Sequence, residues 1–233
     1  MRFLRVVRRP VVVLCGVLSI GALAGTAHAQ SARAVTVVNR TASSPLIVGD
    51  SITVMGHDEL LALRPSFDVD AVSGGLVSTL EDRIANHLEM VGTPRRLVIA
   101  LGTNTDPTWS EQDYLDAVDS VPRSTQVLMV TPYVPHNSTG DWKRGRYAFD
   151  RTGRYAAWMN DIATRRRNVC VVPWRREVMD HPGLLRWAPG ETPANGGYGG
   201  VHPTARGQHV WAGMLDAAMR SRQCAGYRSF LGH

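Results

Sequence analysis

Five short apolar runs, rich in β-branched residues, recur along this chain: Leu46–Val48, Phe67–Val72, Arg96–Leu101, Gln126–Thr131 and Val169–Val172. They are apolar at nearly every position rather than at every second one, a pattern that suits a strand covered on both faces. The segments between them carry the helical period instead. Leu76–Met90 places Leu76, Leu80, Ile84 and Leu88 on one side, Ser110 caps a helix running through Val118, and Thr152–Arg166 and Thr204–Arg222 supply two more. Strands alternating with helices in this way predict a parallel sheet of about five strands between two helical layers, a three-layer α/β/α domain. No internal repeat or linker interrupts the pattern, so residues 45–233 read as one domain, and 44% hydrophobic residues suffice for its core. Residues 30–44 read as a polar leader with room for one extra strand.

The first 29 residues obey different rules. Arg2, Arg5, Arg8 and Arg9 precede an apolar run from Val11 to Ala24, and Ala27 and Ala29 frame a cleavage point before Gln30, the pattern of a secretory signal peptide. The apolar stretch is shorter than the roughly 20 residues a membrane span needs. Cleavage near Ala29 is therefore expected to leave a secreted or cell-envelope-associated protein without a transmembrane segment. Four of the 26 basic residues and none of the 20 acidic ones lie in this leader, so the net charge of +6 falls to +2 after cleavage. That small excess offers no electrostatic case for nucleic acid as a partner. Cys170 and Cys224 remain, and an even pair in an oxidising compartment predicts a disulfide between them, two buried thiols being the alternative.

In a parallel sheet flanked by helices, ligands bind outside the carboxyl ends of the strands. There the chain places Gly49-Asp50-Ser51, Ser73-Gly74-Gly75, Gly102-Thr103-Asn104 and Thr131-Pro132-Tyr133, and Val201-His202-Pro203-Thr204 precedes the last helical segment. Together these hold what acyl transfer requires: a hydroxyl, an imidazole to take its proton, and donors to hold an oxyanion. Taken singly, each has an ordinary reading. Ser51 suits a turn or helix cap, Gly74 a turn, Asn104 an Asx turn and His202 a structural imidazole. His57, His87, His136, His181 and His209 lack metal-ligand spacing to a carboxylate or thiol, so neither a metal nor a cofactor is expected.

"GDSI", the glycine in "VSGG", "GTN" and "VHPTARG" resemble, in order and approximate spacing, the four blocks of the SGNH (GDSL-type) hydrolase superfamily over nearly all of the mature chain. "NVCVVPWRREVMDHPGLL" followed by "GGVHPTARG" looks like the SGNH domains attached to bacterial membrane acyltransferases that O-acetylate envelope glycans. The resemblance implies a flavodoxin-like sheet, Ser51 as nucleophile and His202 as general base. It also implies an oxyanion hole made of the Ser51 and Gly74 N–H groups and the Asn104 side-chain amide.

Two positions depart from the family. Gly199 stands three residues before His202, where the family has an aspartate that orients the imidazole, and Pro173 stands where "VVDW" is common. A backbone carbonyl can accept from the imidazole instead, which gives a Ser-His dyad; Asp180 and Glu191 are the candidate replacement acids. For substrate, Val134–Asp150 is polar with Trp142 and Tyr147 interleaved, Trp109 and Trp187 lie in other rim loops, and Arg144, Arg146, Arg151 and Arg154 face an anionic polymer or simply solvent. The expected function is a secreted serine esterase or O-acyltransferase acting on an acylated small molecule or cell-envelope glycan. The alternative is a catalytically silent glycan-binding protein on the same fold.

Overall fold

A computed structural model describes residues 34–37, 44–136, 146–187 and 199–221. Six strands form the main sheet: β1 (Ala34–Val37), β2 (Leu46–Gly49), β3 (Asp68–Val72), β4 (Arg96–Ala100), β5 (Gln126–Val130) and β6 (Val169–Val172). Their order is β1-β3-β2-β4-β5-β6. The five from β2 onward are parallel, and β1, from the polar leader, pairs antiparallel with β3 at the edge. Without that edge strand the order is the flavodoxin-like one, in which the chain first steps from β2 to one side and then crosses to the other.

The near-continuous apolar runs are explained by two cores, one on each face. Alternate strand residues point to opposite sides. Ile47, Val98 and Leu128 join one core with Val69, Trp174 and Trp211; Leu46, Val48, Leu97, Ile99, Val127 and Met129 join the other with Leu80, Ile84, Tyr114 and Ile162. The first core is closed by α1 (Ser51–Leu63), α5 (Trp174–Asp180) and α6 (Ala205–Arg220). The second is closed by α2 (Leu80–Met90), α3 (Glu111–Asp119) and α4 (Arg146–Arg165). Among the described residues no helix is long and apolar enough to cross a membrane.

Helix starts follow local chemistry. Ser110 and Asp113 form a reciprocal capping box at α3, and the Thr204 hydroxyl accepts the Gly207 N–H, 3.1 Å, at α6. One expected helical residue is displaced. Leu76 lies before a 3-10 turn over Val77–Thr79 and is 45% exposed, because the Gly74-Gly75 turn delays the helix to Leu80. A short antiparallel hairpin, β7 (Leu185–Trp187) and β8 (Gly199–Pro203), stands apart from the main sheet.

Candidate active site

The three adjacent strand ends β3, β2 and β4 deliver Gly74, Ser51 and Asn104 to one edge of the sheet, at its topological switch point. Ser51 is the first residue of α1. Asp50 caps this helix by accepting the Ile52 N–H, 3.0 Å, while the Ser51 N–H falls among the first-turn donors that have no partner within a helix. Gly74 has φ +77°, the left-handed region that favours glycine, and a Cβ there would meet nothing within 4 Å, so the peptide edge is open to an approaching group. The Asn104 side-chain amide donates to Gly75 O, 3.1 Å, and an amide nitrogen has a second N–H to offer.

His202 comes from the hairpin. Leu185 faces Pro203 and Trp187 faces Gly199, so four steps along β8 match two along β7. Such a bulge re-aims side chains. Gly200 permits it, because a Cβ there would run into the Arg186 carbonyl oxygen. Beyond the bulge the chain is tied down by Arg186 Nε to Pro203 O, 3.0 Å, and Thr204 N–H to Leu184 O, 2.8 Å. The outcome is that His202 Nε2 lies 2.9 Å from Ser51 Oγ, across 151 positions of sequence.

Sequence reading identified Asp50 only as part of a motif, yet it is the most perturbed carboxyl beside Ser51. It is fully buried, and burial pushes its pKa up to about 6, opposed by the Ile52 N–H, by Thr103 and by the charge of Arg83. Arg83 itself was missed. From α2 its guanidinium forks onto Asp70 of β3 and also donates to Gly49 O at the end of β2, 3.1 Å. A lone arginine on an amphipathic helix carries no spacing signal that marks such a contact.

Other expected residues lie elsewhere. Asp180 closes α5, where it pairs with Arg176 at 3.5 Å; among the described residues no hydrogen bond joins it to His202. Glu191, Trp142, Arg144 and Cys224 lie outside the described residues, and Tyr147 and Arg146 lie in the first turn of α4. Trp109 is a core residue rather than a rim residue, 6% exposed and edge-on to Tyr114. Arg151 donates to the carbonyls of Asp106 and Pro107. Cys170 is disulfide-bonded. Among the described residues no group of three His, Cys, Asp or Glu side chains is arranged to hold a metal.

Neither a family model nor a curated protein matches the chain in sequence. Solved structures do match in shape. The C-terminal catalytic domain of peptidoglycan O-acetyltransferase A from Streptococcus pneumoniae, solved with a methylsulfonyl adduct, superposes with TM-score 0.61 at 19% identity, over 77% of this chain and 94% of that one. The chain shares the fold of that domain. A protein of the lipolytic G-D-S-L family from Veillonella parvula gives TM-score 0.53 at 17% identity over 77% and 98% of the two chains. A GDSL-like lipase from Bacteroides thetaiotaomicron gives 0.51 at 16% over 77% and 88%.

Proposed function

We propose that this protein is an exported serine esterase or O-acyltransferase that works through an acyl-enzyme on acyl esters of cell-envelope carbohydrate. The observation that carries the reading is the 2.9 Å contact between Ser51 Oγ and His202 Nε2 at the sheet edge where Gly74 and Asn104 also end. Ser51 Oγ attacks the acyl carbonyl as its proton passes to His202 Nε2. The carbonyl oxygen becomes an oxyanion held by the Ser51 and Gly74 N–H groups and the free N–H of Asn104. Collapse expels the alcohol, which takes the proton from the imidazolium and leaves the acyl group on Ser51. Water or a carbohydrate hydroxyl then attacks the acyl-enzyme, with His202 as base a second time.

The glycan half of the proposal draws on the peptidoglycan O-acetyltransferase domain with the same fold. Replacing Ser51 or His202 by alanine is expected to lower p-nitrophenyl acetate turnover by about 10³-fold or more with little change in unfolding midpoint. A fluorophosphonate probe should label the wild type and not Ser51→Ala. Wild-type rate in Ser51→Ala ends the nucleophile assignment, and an unlabelled, inactive wild type that still binds glycan makes this a binding protein.

A further inference from the structure

Oxyanion donors spread over three strand ends must be fixed against one another to a fraction of an ångström, because they act only if all point at the place where charge develops. Hydrogen bonding between β2 and β3 stops short of that place, since Gly49 and Val72 are their last residues, whereas the chain after the Gly74 turn is tied to Asn104 by a Leu76–Asn104 bridge and by the Val77 N–H on Asn104 O, 3.5 Å. Arg83 occupies the junction beyond. Its side chain is 12% exposed; Nε and Nη2 donate to the two carboxylate oxygens of Asp70, 2.9 and 2.8 Å, and Nη2 also donates to the Asp70 carbonyl. Nη1 turns the other way and donates to Gly49 O, 3.1 Å, two residues before Ser51. The Gly74-Gly75 turn rests on the same group. A Cβ on Gly75 would stand 3.5 Å from Arg83 Nη1 and 3.5 Å from Gly49 O. Gly75 is held in turn by its N–H on Val72 O, 2.9 Å, and by the Asn104 amide on its carbonyl, 3.1 Å.

We propose that Arg83 is a positioning residue which sets the mutual placement of the Ser51, Gly74 and Asn104 donors; this rests on the catalytic reading of Ser51. Asp70 offsets most of its charge at short range, although part still reaches Asp50, so the main contribution is geometric. The planar fork matters, because a point donor such as lysine cannot span a carboxylate on one strand and a carbonyl on the next. The helix does not depend on it for docking, since Leu80 and Ile84 are fully buried.

The test uses the full mature chain and p-nitrophenyl acetate. Arg83→Gln is expected to lower kcat by about 10- to 100-fold while KM stays within about 3-fold, as loss of an arrangement felt only in the transition state requires. In an Asn104→Ala background the same substitution should cost much less, because the donor set is already broken. A merely structural role predicts the opposite, equal losses in both backgrounds. A folded Arg83→Gln with kcat within about 2-fold of wild type, or losses that multiply in full, overturns the proposal. Should Arg83→Gln fail to fold, Arg83→Lys, which keeps the charge, is read by the same two criteria. Wild-type rate in Ser51→Ala would instead overturn the catalytic reading; an inactive Ser51→Ala beside an unaffected Arg83 variant overturns this inference alone.

Discussion

Asp50 does two things that pull against each other. Its carboxylate caps α1, and a charged acceptor is favoured at a helix N-terminus, but the same group is removed from water entirely. Burial wins, and the folded pKa rises to about 6 from an ordinary 3.8. The native state therefore binds a proton that the unfolded chain has already released between those values. The stability this contributes is fully present below pH 3.8 and is lost as pH rises through about 6. For a shift of this size the change is about 3 kcal/mol. Asparagine caps as well as aspartate but does not titrate. The urea midpoint of Asp50→Asn should accordingly gain on wild type between pH 4.5 and pH 7.5, and parallel profiles for the two proteins would remove the assignment.

At the scale of elements, the β8 bulge decides what can be rebuilt around His202. Residues three apart on a regular strand face opposite ways, so a side chain at 199 would ordinarily point away from that at 202. The bulge spans this stretch and breaks the alternation. We expect Gly199→Asp to bring a carboxylate to the Nδ1 side of His202, fix the tautomer that leaves Nε2 for Ser51, and raise kcat by about 10-fold or more. Asp180→Asn and Glu191→Gln should keep full rate if a backbone carbonyl already orients the imidazole. A correctly folded Gly199→Asp with unchanged kcat would show that the restored acid has no role here. The bulge was not legible in the sequence, although the His-Pro-Thr junction was, because register depends on partner residues 12 to 18 positions away. Helix α1 also escaped the helical reading. Ile52, Thr53 and Val54 are β-branched and Gly56 follows, so propensity opposed the helix; packing overrides it, with Trp211 laid over Gly56. Strands β2 to β6 were legible for the converse reason, since burial on both faces writes itself into nearly every residue, Asp68 and Asp70 of β3 being exceptions.

For the whole molecule, compartment and covalent structure are one question. A chain with the leader still attached and a chain exported through it should differ in more than their first residue, because only an oxidising compartment closes and keeps a disulfide. Cys170 lies on β6, at the free edge of the main sheet, and is disulfide-bonded. We propose that export removes the leader, and Cys15 with it, and that Cys224 is the partner of Cys170. Their loop of about 50 residues contains α5, the β7–β8 hairpin and α6, and in the chain-entropy model its closure adds about 4 kcal/mol to stability. The loop thus includes His202 and the helix behind it, but not Ser51. Protein recovered after export should begin at Gln30 and show no free thiol by intact mass after alkylation. The same mature chain made in a reducing cytosol should carry two alkylated cysteines and unfold at a clearly lower urea concentration. Because reduction frees the segment that brings His202 to Ser51, ester turnover should decline at urea concentrations where the oxidised form is still fully active. Equal urea midpoints for the oxidised and reduced proteins would remove the structural role of the disulfide. Quantitative alkylation of both cysteines in exported protein would remove the pairing itself.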